Sequence, residues 1–114
     1  MPDIQSKLSA MLRPTDLEER CGFVTKRGRV VEVRNIAPDP VAGFVMDPTE
    51  SAPIMDKDPQ ATWHTHPGGD PNLSGEDYAA FLAWPELTHY IVGVVDRTVW
   101  VKTYIVQEGL VVQS

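Results

Sequence analysis

The chain has one cysteine, Cys21, in 114 residues. An intrachain disulfide is therefore impossible, a four-cysteine structural zinc site is excluded, and a reducing compartment is the simplest setting. Long apolar runs are missing as well. The longest, Tyr90 to Val95, is strand-length and far short of the ~18 residues needed to cross a bilayer. No basic patch followed by an apolar core opens the chain, so no secretory signal is expected. The location expected is cytoplasmic, with no membrane partner. Positive charge is scarce: 10 Lys and Arg stand against 16 Asp and Glu, a formal net charge of −6. Nucleic-acid binding usually needs a basic face, so no such partner is expected. Lys26, Arg27, Arg29 and Arg34 cluster locally and read as a solvated hairpin. Internal repeats and dividing linkers are absent.

With 42% hydrophobic and 23% charged residues, the composition is that of a globular protein, and the length suits a single domain over residues 1–114. Ile4, Leu8, Met11 and Leu12 share one helical face over residues 3–12, with Asp3 as N-cap and Pro14 as terminator. Residues 15–19 suggest a further short turn. Cys21 to Thr25 reads as a strand, 26–28 as a turn and Arg29 to Ile36 as its hairpin partner. Gly43 to Met46 is a short apolar piece, and residues 49–60, rich in Pro, Asp and Ser, read as a surface loop. Ala61 to His66 returns to strand character. Ser74 caps a helix that Pro85 stops. His89 to Val95 reads as a buried strand, Val99 to Val106 as an alternating one and Leu110 to Val112 as an edge, a route to dimerisation. The fold class expected is α/β: one curved, mixed β-sheet flanked by helices.

The chemistry is concentrated in His64-Thr65-His66-Pro67, followed by Ser74 and Asp77. Histidines at i and i+2 of a strand point to the same side. A carboxylate in the first turn of the next helix can swing back to meet them. Two nitrogens and one oxygen with a fourth position open is the ligand set of a catalytic zinc. The plainer reading is an ordinary helix start, with Ser74 bonding the helix amides and Asp77 decorating the first turn. The two are compatible, since a capped helix start is a rigid mount for a ligand. Cys21 reads as a small buried hydrophobe rather than a nucleophile. His89 reads as structural or exposed, Trp63 as core, and Trp84 and Trp100 as packing or surface aromatics. Gly68, Gly69 and Pro71 would shape the loop that returns Ser74 and Asp77 to the histidines.

This constellation resembles the JAMM (MPN+) metallopeptidase family, whose signature is His-x-His, seven residues, Ser, two residues, Asp. His64, His66, Ser74 and Asp77 fit it in full, and Glu19-Arg20-Cys21-Gly22 fits the family's upstream Glu-x-x-Gly, selecting Glu19 over Glu18. The resemblance runs from about Leu17 to Val112 and implies the JAMM/MPN, cytidine-deaminase-like fold. It implies one Zn2+ per chain held by His64, His66 and Asp77, with Glu19 as general base and the Ser74 hydroxyl as donor to the developing oxyanion. The reaction implied is hydrolysis of a peptide or isopeptide bond by a metal-activated water. Phe44 to Glu50 and the segment from Trp84 to Gly93 resemble JAMM domains of phage tail-assembly proteins. The partner implied is a protein or peptide substrate, such as a ubiquitin-like or sulfur-carrier protein. The insertions with which eukaryotic deubiquitinases grip ubiquitin have no counterpart here. Two other readings stand beside this one: a non-catalytic scaffold or assembly module, and a zinc hydrolase acting on a non-peptide amide.

Overall fold

A computed structural model describes residues 3–114. The elements follow in the order α1 (Ile4–Ser9), β1 (Cys21–Val24), β2 (Val30–Val33), α2 (Pro48–Met55), β3 (Ala61–Thr65), α3 (Gly75–Leu82), β4 (Thr88–Val95), β5 (Thr98–Gln107) and β6 (Leu110–Gln113). The strands form a single sheet in the order β2-β1-β3-β4-β5-β6. All neighbours are antiparallel except β3 and β4, which run parallel because α3 carries the chain from the end of one to the start of the other. This is the mixed α/β architecture expected from the sequence.

The two faces of the sheet are covered differently. On one side α1, capped by Asp3 accepting from the Ser6 N–H at 2.7 Å, presses Leu8 onto Val24, Ala61, Trp63 and Val92. Trp63 is fully buried there, and its indole N–H donates to the Val31 carbonyl at 3.2 Å. The indole lies against Gly22, where a Cβ would fall 1.9 Å from the Val31 oxygen and 2.8 Å from Trp63 Nε1. The glycine three residues after Glu19 is thus a packing requirement. On the opposite side, Cys21, Phe23 and Val33 receive Ile54 and Met55 of α2, while Phe81 of α3 packs on Ile91 and Tyr104. Cys21 is buried, as expected.

Two expectations need correction. Residues 49–60 are not simply a loop, because Pro48 to Met55 form α2. Asp47 caps it by accepting from the Thr49 N–H at 2.9 Å, and Pro48 occupies the first turn, where a missing N–H is harmless. Pro53 and the short apolar content hide the helix from periodicity, and the contact with β1 is what stabilises it. The short turn expected in residues 15–19 lies slightly earlier, around Pro14 and Thr15, where the Asp16 N–H donates to the Arg13 carbonyl at 3.0 Å, and residues 16–19 form no helix or strand.

His89 is structural and almost completely buried. Its Nε2 lies 3.0 Å from the Trp84 carbonyl, which can only accept, so Nε2 carries the proton. Nδ1 then accepts from the Thr62 hydroxyl at 2.6 Å, and the ring stacks on Phe81 at 4.2 Å. Burial holds the imidazole below its ordinary pKa of 6.5. The unfolded chain therefore binds the proton more readily than the folded one, and stability falls as the pH drops below about 6.5. A His89→Gln variant is expected to lose less stability than the parent between neutral pH and pH ~5, measured by urea denaturation; equal slopes would contradict this.

Gly93 lies on the α3 side of β4, under the loop that follows β3. A Cβ there would sit 2.4 Å from the Pro71 nitrogen and 2.7 Å from the Gly69 oxygen. Gly93→Ala is expected to destabilise the fold by about 1–3 kcal/mol through overpacking, and to displace that loop. Denaturation midpoints and the amide shifts of residues 69–73 check it.

Candidate metal centre

β3 supplies the first two groups. His64 is its fourth residue and His66 follows its end, so both rings emerge on the α3 side of the sheet. The His66 N–H donates to the Val92 carbonyl at 2.7 Å, which carries the parallel pairing one step past the strand. The third group comes from α3. Ser74 Oγ accepts from the Asp77 N–H at 3.1 Å, and Asp77 Oδ2 accepts from the Ser74 N–H at 3.2 Å, a reciprocal cap that fixes the carboxylate's direction.

The groups meet at one point. His64 Nε2 and His66 Nε2 are 3.0 Å apart, and they lie 3.1 and 3.2 Å from Asp77 Oδ1 and Oδ2 respectively. Ligands at zinc's usual 2.0–2.1 Å in a tetrahedron lie about 3.3 Å from one another, so the donor set and its spacing suit that ion. The ring orientations agree. His66 Nδ1 faces the Asp70 carbonyl at 2.8 Å and must donate to it, which leaves the Nε2 lone pair free to bind. The loop bearing that carbonyl is pinned by the Tyr104 hydroxyl donating to the Pro71 carbonyl at 3.0 Å, and by the Val94 N–H donating to the Gly69 carbonyl at 2.7 Å. Phe44 stacks on the His64 ring at 4.4 Å.

Glu19 arrives from a different segment. Cys21 pairs with His64 in the β1–β3 register, and continuing that register sets Glu19 opposite His66. The chain there is outside any strand, yet held at each peptide. The Glu19 N–H donates to the Pro40 carbonyl at 2.8 Å, and its carbonyl accepts from Asn35 Nδ2 at 2.8 Å. Arg20 exchanges bonds with Thr65, its N–H donating to Thr65 Oγ1 and its carbonyl accepting from the Thr65 N–H, both at 2.9 Å. A Glu19 carboxylate oxygen and a nitrogen of each histidine lie within 4.8 Å of one another, a second group able to hold or face a metal.

The electrostatics follow from burial. Desolvation pushes the half-buried Glu19 carboxyl up to about 7, against the lowering influence of His66. Burial lowers His64, and the neighbouring Asp77 only partly offsets it. For His66, burial acts downward but is outweighed by the bonds to Asp77 and to the Asp70 carbonyl, so its pKa is raised. Asp77 would likewise be raised by burial, but the two imidazoles hold it well below the usual carboxylate range. All five residues singled out in the sequence, Glu19, His64, His66, Ser74 and Asp77, line or floor one region. Asn35, Thr65, Phe44 and Tyr104 support it and were given no role in the site from the sequence. Thr65 had a signal in its place between the two histidines and Phe44 in the resemblance carried by the Phe44 to Glu50 segment; Asn35 and Tyr104 had none.

The fold is similar to the solution structure of a protein from Desulfitobacterium hafniense, with TM-score 0.72 and 22% identity over 95% of this chain and 83% of that one. It is also similar to the solution structure of a protein from Salinibacter ruber, with TM-score 0.58 and 18% identity over 100% of this chain and 86% of that one. At such identities the likeness is one of fold. No curated protein matches the chain significantly. The sequence model of the prokaryotic homologues of the JAB domain matches residues 1–104, which hold every group described above, and the chain belongs to that family.

Proposed function

We propose that the protein is a zinc-dependent hydrolase of peptide or isopeptide bonds, with a protein or peptide as substrate. The observation that carries this reading is the convergence of His64, His66 and Asp77 on one point at mutual distances of 3.0–3.2 Å, with the Glu19 carboxylate beside them. His64, His66 and Asp77 would hold the ion. Zinc bound there supplies a Lewis acid that brings the pKa of a coordinated water toward ~7.

The protein's own groups divide the remaining work. Glu19, with its carboxyl near 7, accepts a proton from the attacking water and returns it to the leaving nitrogen. The water oxygen bonds to the carbonyl carbon, and the C–N bond then breaks to give a carboxylic acid and an amine. Ser74 Oγ accepts from the Asp77 amide, so its own proton is free to donate to the carbonyl oxygen as negative charge grows there. The backbone bonds on either side of Glu19 keep the base from withdrawing, which a group on an irregular segment otherwise does readily.

Protein purified with zinc is expected to carry about one ion per chain, and His66→Ala or Asp77→Ala to lose it, by elemental analysis. Wild-type protein without stoichiometric zinc, and with turnover insensitive to a chelator, would defeat the proposal. Glu19→Gln is expected to keep zinc and its melting temperature while losing about 10²–10⁴-fold in kcat on a cleaved peptide. An unchanged biological role for Glu19→Gln would favour a non-catalytic module instead. Ser74→Gly, which retains most of the capping, is expected to lower kcat by about 10²–10³.

A further inference from the structure

A groove of about 1290 Å³ leads away from the metal centre, between α3 on one side and α2 with the 42–48 segment on the other. Small-molecule sites usually measure about 300–1,000 Å³, so this one has room for several residues of a chain. Apolar side chains dominate its lining, among them Phe23, Phe44, Met55, Phe81 and Leu87. Among the described residues, the charged ones that line it, histidines aside, are Glu19, Asp70, Glu76 and Asp77, with no lysine or arginine. Glu19 and Asp77 face the point where the ion would sit and would offset its charge. Asp70 and Glu76 are exposed and left over. Among the described residues the Asp70 carboxylate accepts only from the Asn72 N–H, at 3.1 Å. Glu76 stands across the groove mouth, its Oε2 3.7 Å from where a Cβ on Gly43 would be. Lys102, behind the loop, is tied to Asn72 Oδ1 at 2.6 Å. Ser51 lines the α2 wall, its Oγ buried without a hydrogen-bond partner among the described residues.

An enzyme that trims single residues from a free C-terminus needs a cation to receive the terminal carboxylate, and, histidines aside, the charged side chains lining this groove are all acidic. Resting on the hydrolase reading above, we propose that the groove takes an extended, apolar peptide segment with neutral or cationic flanks. The bond cut is then an internal or isopeptide bond and not one next to a free carboxylate. Apolar side chains seat along Phe23, Met55 and Leu87, and a lysine or arginine near the scissile bond meets Glu76 and Asp70. A carboxylate in the same position would instead face two like charges.

The test uses zinc-loaded Glu19→Gln protein, which binds without turnover, and short dye-labelled peptides with one apolar centre. They carry lysine or glutamate flanks and end in a carboxamide or a free carboxylate, in all combinations. Anisotropy titration is expected to give the lysine-flanked carboxamide at least about tenfold tighter binding than the glutamate-flanked acid, and Glu76→Gln to reduce that preference about threefold. Equal or reversed affinities, no binding by any member, or a preference that Glu76→Gln leaves untouched would overturn the inference. Turnover by wild-type protein separates the two readings. If the cationic peptides bind as stated but none is ever cleaved, the hydrolase reading fails and the groove assignment stands. If wild-type protein trims the free-acid peptides from their C-termini as fast as it cuts the carboxamides, the groove assignment fails and the hydrolase reading stands.

Discussion

β3 is held by backbone hydrogen bonds on both edges, antiparallel to β1 and parallel to β4, and every distance in the metal centre passes through those two ladders. A slip of one residue in either would turn His64 and His66 toward α1 and bring Trp63 into the groove. The slip is prevented by packing on the far side. Trp63 fits only against the bare backbone of Gly22, so its burial fixes β1 against β3, and with that the approach of Glu19 to His66. Hydrophobic packing on one face thereby sets polar geometry on the other.

The parallel ladder does similar work for the ligand loop. Val92, Gly93 and Val94 accept the chain beyond β3, with the His66 and Val94 amides bonded across and no Cβ at Gly93 to keep the loop away. The Asp70 carbonyl is then placed to orient the His66 ring, and the chain enters α3 at Ser74. The histidines and Asp77 are mostly withdrawn from water, and such groups are tolerated only when each polar atom has a partner. Here they are one another's partners, at spacings that also suit a metal.

Much of this was legible along the chain. The i, i+2 histidines on a strand, the Ser74 cap and the position of Asp77 in the first turn are local patterns, and local patterns depend on backbone period and not on distant contacts. The membership of Glu19 was implied only by the family resemblance, through the spacing to Gly22, and the physical basis of that glycine, the Trp63 indole, emerged only with the fold. α2 was missed because Pro53 and a weak apolar pattern mask it, and contact with Phe23 and Cys21 is what supports it. Asn35 was missed for a related reason. It donates to the carbonyls of Glu19 and Gly43 and accepts from the amides of Ala37 and Val45, and all of these but the local bond from Ala37 join it to residues eight to sixteen positions away.

Residue chemistry and strand or helix period were enough to name an imidazole pair, a capped carboxylate and an α/β sheet, because each is a property of neighbours in the chain. The closeness of Glu19 to the histidines, the ring orientation of His66 and the acidic, apolar groove between α2 and α3 were decided by tertiary structure. Each of these depends on contacts between segments tens of residues apart, and the burial that perturbs Glu19 exists only once those segments have closed around it.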